Sequence, residues 1–136
     1  MMDDILPRGY APLFRSSPFL DLLGPLYYWQ DDQEGMVIAL RVEQKHCNQR
    51  GTAHGGLLCS LADVALGYST AYSREPPLAM ATVNLNLDFC GAARLGDLLE
   101  VRTHIQKIGQ RLAFASASID TGEQPVARAS AVFHIP

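Results

Sequence analysis

From residue 98 onward, hydrophobic and polar positions alternate. Leu99, Val101, Thr103 and Ile105 share one face of an extended segment, and Glu100, Arg102, His104 and Gln106 share the other. That two-residue period belongs to a strand buried on one side. Similar segments are "MATVNLNLDFC", "LAFASASID" beyond a "GQR" turn, and "PVARASAVFHI". Nearer the start, "LYYWQ" and "MVIALRVE" flank a turn over residues 31–35 and predict a hairpin. Between these groups the period changes. From Gly55 to Ser73, residues Leu57, Leu58, Leu61, Ala62, Val64, Ala65, Leu66 and Tyr68 occupy nearly every angle of a helical wheel, as in a helix covered on most sides. The "REPP" that follows forbids its continuation.

The first 25 residues carry four of the eight prolines and one short helical candidate, "SSPFLDLLG". There Ser17 is placed to cap, Pro18 to take the first helical position and Gly24 to stop it. No repeat, low-complexity tract or linker interrupts the rest. The chain, residues 1–136, therefore reads as a single α+β domain with an N-terminal extension over residues 1–25. Its predicted architecture is one long helix with five or six mostly antiparallel strands wrapped around it.

Composition adds exclusions. Eleven Lys and Arg against fourteen Asp and Glu give a net charge of -3 without runs of one sign, so no basic face points to nucleic acid or an anionic membrane. No apolar run approaches the roughly 18 residues of a membrane span, and the acidic start lacks the basic and apolar blocks of a signal peptide. A cytoplasmic location is the expectation. Cys47, Cys59 and Cys90 are odd in number and unrelated in context, which argues against a disulfide framework.

The long helix carries a single formal charge, Asp63. A buried carboxylate is costly unless paired, hydrogen-bonded or protonated, so its presence asks for a partner or a function. Eight residues earlier, "HGG" opens the helix. Gly55 and Gly56 leave backbone N–H groups unpaired at the positive end of the helix dipole, donors suited to an oxyanion or a polarised carbonyl. Gly55 and Asp63 are roughly 12 Å apart along the axis, too far for one small carbonyl group to meet both within one subunit. If both act on one group they come from two chains, which implies a homodimer with composite sites.

Asn48, Gly51, His54-Gly55-Gly56 and Leu61-Ala62-Asp63, followed by a polar-alternating strand and a Gly96-Asp97 turn into a long strand, resemble the hotdog-fold acyl-CoA thioesterases, in particular the small phenylacetate-catabolism type. The likeness covers most of the chain beyond the first 25 residues. It implies a curved sheet around the long helix, a homodimer usually paired into a homotetramer, and hydrolysis of an acyl-CoA substrate with no metal or bound cofactor. By the same resemblance Asp63 is the catalytic general base or nucleophile. The Gly56 N–H of the partner chain polarises the carbonyl, His54 lies near the sulfur, and Asn48 holds substrate or water. Where that family often has a serine, this chain has Thr82. Tyr68 and Phe89 are candidates for an acyl pocket beside Gly55. Arg94, Lys107, Arg111 and Arg128 are candidates for the CoA phosphates, because phosphate recognition needs surface cations.

Other chemistries fit less well. No Gly-x-Ser-x-Gly elbow occurs, and Ser60 lies inside the helix, against a serine hydrolase. His46, Cys47, His54 and Cys59 lack the paired spacings of a zinc site. A hotdog hydratase or dehydratase, pairing His54 with a carboxylate, is the runner-up. A non-catalytic acyl-CoA-binding domain is a further alternative, although residues 1–25 are too short and Pro-rich for an attached DNA-binding helix pair.

Overall fold

The computed structural model describes residues 9–136; residues 1–8, with most of the acidic start, lie outside the described residues. In chain order the elements are β1 (Ala11–Pro12), α1 (Pro18–Leu23), β2 (Tyr27–Asp31), β3 (Gly35–Arg41), α2 (Gly55–Ala71), β4 (Ala81–Phe89), β5 (Leu98–Ile108), β6 (Leu112–Asp120) and β7 (Pro125–His134). All seven strands join one antiparallel sheet in the order β1-β2-β3-β5-β6-β7-β4. Six of them are the segments expected from the sequence, β2 and β3 from the hairpin turn and β4 to β7 from alternation. The seventh, β1, is only two residues long, too short to carry a period, and is supplied by the extension.

Local signals set the boundaries. Asp31 Oδ1 accepts the N–H groups of Gln33 at 2.7 Å and Glu34 at 3.1 Å, and Gly35 takes φ +77°, closing the β2–β3 hairpin. The Ser17 hydroxyl accepts the Leu20 N–H at 3.2 Å with Pro18 in the first turn, and Gly24 ends α1.

The helix α2 packs across β3, β4, β5, β6 and β7. Beneath it the sheet is built largely from small side chains: Ala113, Ala115 and Ala117 on β6 lie with Ala127, Ala129 and Ala131 on β7, with Ala115 opposite Ala131 and Ala117 opposite Ala129. Small residues there let the helix backbone approach the sheet, while Leu61, Ala62, Ala65 and Leu66 are fully enclosed. The cover is less complete than the wheel implied. Asp63, Val64, Gly67, Tyr68 and Ala71 form a half-buried stripe along α2. Among the described residues no helix is long and apolar enough to cross a membrane.

Because β3 pairs with β5, the strand that follows α2 has no place beside β3 and is carried to the far edge, where, among the described residues, β4 pairs with β7 alone. Its burial is correspondingly poor: Val83 is 57% exposed and Phe89 54%.

Candidate functional site

The start of α2 is shaped by two histidines. His46 is buried in a 3-10 turn over Gln44–His46. Its Nδ1 accepts the Glu43 N–H at 2.9 Å, and its Nε2 lies 2.5 Å from the Leu23 carbonyl. A carbonyl only accepts, so Nε2 carries the proton and the neutral ring joins α1 to the loop before α2. The chain then turns over residues 48–52. Asn48 Oδ1 accepts from the Arg50 N–H at 2.9 Å and the Thr52 N–H at 3.2 Å, and Asn48 Nδ2 donates to Thr52 Oγ1 at 2.9 Å. The Asn48 side chain is thus committed to the turn. His54 caps the helix, its Nδ1 accepting the Gly56 N–H at 2.9 Å. His54 and Gly56, expected to act separately, are therefore coupled: the donor assigned to a carbonyl oxygen is engaged by the imidazole.

Asp63 stands two turns further along. It is half-buried, not enclosed as the wheel suggested, because the helix face that carries it is the stripe left open by the sheet. The Thr82 hydroxyl donates to Asp63 Oδ1 at 2.8 Å. A register shift in the β4–β7 pairing, from Thr82 opposite Phe133 to Asn84 opposite Val132, leaves Val83 unpaired next to it. A bulge of this kind on an edge strand re-aims side chains. Asp63 and Thr82 line a cleft of about 680 Å³ whose walls include Phe19, Leu20, Val64, Tyr68 and Phe133. His54 and Gly56 open instead into a second groove of about 360 Å³, shared with Leu22, Leu23 and Ser60. Within one chain, helix-start donor and carboxylate face different depressions, and of the residues just named only Phe19 borders both.

The remaining candidates divide between the ends of α2. Tyr68 lines the Asp63 cleft, whereas Phe89 lies at the opposite end, its ring 3.5 Å from where a side chain on Gly55 would begin. Gly55 is thus covered by an aromatic ring. Arg94 pairs with Thr52 through a bridge near the helix start, and its N–H donates to Asp97 at 2.8 Å. Arg128 is tied to Asp88 on β4 by a 2.8 Å ion pair whose hydrogen bond raises its pKa. Lys107 and Arg111 sit by the β5–β6 turn, close to His134 and so to the end where β4 begins. The four cations do not gather on one patch of one chain.

Residues that sequence reasoning passed over come mainly from the extension. Phe14 packs edge-on against Tyr72 at a centroid distance of 4.7 Å and against Tyr28 at 5.2 Å, and Arg15, Ser17, Phe19 and Leu20 line the Asp63 cleft. The apolar positions of "SSPFLDLLG" were the available signal, but they identify a packing helix without saying what it packs beside. Among the described residues no three of His, Cys, Asp and Glu gather as a metal-ligand set, and Cys47, Cys59 and Cys90 are free thiols.

Comparison with known proteins is consistent with this geometry. The family model for the Thioesterase superfamily matches residues 50–127, the stretch from the Asn48 turn through α2 to β7. A candidate esterase of Pseudomonas aeruginosa is 63% identical over 131 residues, covering 96% of this chain and 98% of its own length. Mouse acyl-coenzyme A thioesterase 13 is 31% identical over 86 residues, covering 63% of this chain and 61% of that protein. Among solved structures, the E. coli PaaI protein from the phenylacetic acid degradation operon superposes with a TM-score of 0.78 over 89% of this chain and 86% of that one; at 22% identity this likeness speaks for the fold. With more than half of its length matched by the family model, and a relative aligned almost end to end, the chain belongs to the Thioesterase superfamily.

Proposed function

We propose that this chain hydrolyses acyl-CoA thioesters to the free acid and coenzyme A, with Asp63 as general base. The observation that carries it is the Thr82 to Asp63 hydrogen bond of 2.8 Å on the wall of a cleft that sets these polar groups beside Phe19, Leu20, Val64 and Phe133. The hydroxyl fixes one carboxylate oxygen, and the carboxylate retains lone pairs that can take a proton from water. The water oxygen bonds to the thioester carbon as Asp63 takes its proton, and negative charge moves onto the carbonyl oxygen. The Gly56 N–H, backed by the α2 dipole, is the donor suited to that charge. In the single chain His54 Nδ1 occupies this N–H, so the substrate oxygen takes the place of the ring nitrogen. Collapse of the tetrahedral species breaks the C–S bond, and the proton held by Asp63 passes to the departing sulfur, near which His54 stands.

The donor and the base belong to different subunits in this reading. Roughly 12 Å of helix separates Gly55 from Asp63, and the two groups open into separate depressions. A homodimer that sets one chain's helix start against the other's Asp63 cleft makes two complete sites, and two such dimers give a tetramer. Asn48 is then a positioning residue that shapes the approach to the helix start.

Asp63→Asn tests the assignment. Release of free CoA, followed with a thiol reagent, should fall about 10²–10⁴-fold, the usual contribution of a positioned base. The melting temperature should hold or rise, because an amide is easier to bury than an ion. Wild-type turnover with a lower melting temperature would make Asp63 structural. A single turnover in ¹⁸O-water should label the product acid alone; label in Asp63 would make the carboxylate a nucleophile.

A further inference from the structure

The family match begins at residue 50, yet one wall of the Asp63 cleft, Arg15, Ser17, Phe19 and Leu20, comes from residues before it. That wall is firmly held. Leu20 and Leu23 are buried in the core, the Leu23 carbonyl meets the His46 ring, Lys45 Nζ donates to the Gly24 carbonyl, and β1 pairs with β2. Phe14 lies against Tyr72 at 4.7 Å and Tyr68 at 6.0 Å, bracing two rings that line the cleft. Opposite the wall, the floor of the cleft includes Gly67. A glycine inside a helix is less stable than alanine, and packing does not demand it here, since among the described residues a side chain begun at Gly67 would meet Phe133 alone, at an ordinary 3.9 Å. What the missing side chain provides is room beside Asp63, one helical turn away.

We infer that Phe19 of the extension and the open floor over Gly67 set which acyl groups are accepted, and that the cleft between them takes apolar acyl groups much larger than acetyl. The inference rests on the thioester reading and adds the substrate class. A volume of about 680 Å³ lies within the range of sites that enclose whole small molecules. Among the described residues the cleft is lined by one cation, Arg15, while Arg94, Lys107, Arg111 and Arg128 lie outside it, so it suits the acyl group and not the phosphate-bearing end of CoA.

The test uses straight-chain acyl-CoA esters from acetyl to dodecanoyl, together with the non-hydrolysable thioether S-octyl-CoA, on the full chain, Gly67→Leu and Phe19→Ala. In the wild type kcat/KM should climb roughly fourfold per added methylene until the cleft is full, the increment expected for burying one CH₂. S-octyl-CoA should bind at least about a hundredfold tighter than CoA, on the same increment. Gly67→Leu should lower the octanoyl-to-acetyl ratio of kcat/KM, and the thioether-to-CoA affinity ratio, by about tenfold or more, and Phe19→Ala should flatten the climb. Folding of each variant is checked by circular dichroism, and Gly67→Ala, which packs without conflict, supplies a milder change in the same direction if Gly67→Leu is lost. Equal binding of thioether and CoA by the wild type overturns the inference even if thioesters are cleaved. Variants that fold and leave both ratios unchanged overturn it too. Thioether preference sensitive to Gly67, with no CoA released from any ester, upholds the acyl site and refutes the hydrolytic reading instead.

Discussion

Replacing Thr82 by valine removes one oxygen from the proposed machinery and little else. The two side chains are nearly isosteric and both are β-branched, so the geometry of β4 is kept. Thr82 is exposed, which limits the change in folding stability to about 0.5 kcal/mol. What is lost is a hydroxyl hydrogen bond of 2.8 Å to Asp63 Oδ1. Hydrogen bonds to charged groups are worth about 1.5–3 kcal/mol, and with Asp63 half-buried beside an exposed donor the lower end applies. About 1.5 kcal/mol of misorientation at the base corresponds to roughly a tenfold loss in kcat/KM. The assay is CoA release, run as a double-mutant cycle with Asp63→Asn and with Thr82→Ser as the rescue. Thr82→Ser should recover most of the activity, and Thr82→Val should cost almost nothing further once Asp63 is an amide. Three results refute the reasoning: wild-type activity in Thr82→Val, failure of serine to rescue, or an undiminished valine effect on the Asp63→Asn background. Any of them would leave Thr82 as an ordinary strand residue.

Two further predictions concern the helix start. Gly56→Pro deletes the donor N–H along with the His54 cap, a loss of about 1 kcal/mol; refolded with an equal amount of Asp63→Asn, about half the dimers should be mixed with one intact site each, returning roughly a quarter of wild-type activity. Background activity, with subunit exchange verified by mass spectrometry, would show that donor and carboxylate do not meet between chains. His46→Leu should lower stability in urea by about 2–4 kcal/mol, since it leaves the buried Leu23 carbonyl and Glu43 N–H unpaired; a loss under about 1 kcal/mol would mean that the ring does not hold the extension in place.

Local pattern carried most of the fold. The alternation of Leu99, Val101 and Thr103, the Asp31 to Gly35 turn and the Ser17-Pro18 helix start each depend on neighbours in sequence, and each is found where those neighbours put it. The pairing of Asp63 with Thr82 spans 19 residues and depends on the crossing of α2 and the bulge at Val83, neither of which alternation encodes. The placement of "HGG" at a helix start was legible from glycine and dipole arguments, but the capture of the Gly56 N–H by His54 depends on a side-chain rotamer. The wheel overstated the enclosure of Asp63 because it counts apolar angles without knowing where the sheet stops. The cleft wall was hidden for a related reason: Phe19 and Leu20 look like any short amphipathic segment until the Leu23 to His46 contact fixes where α1 lies.

The position of β4 at the end of the sheet bears on how the protein must be handled. Among the described residues, the nine-residue strand there, which carries the exposed Val83 and Phe89, is paired on its β7 side only. Such an edge is a template for any other extended chain. A solitary chain would therefore be the species prone to precipitation, and a variant that weakened self-association would show its defect first as lost yield and turbidity. Soluble-fraction measurements across a dilution series would separate that loss from a defect in chemistry.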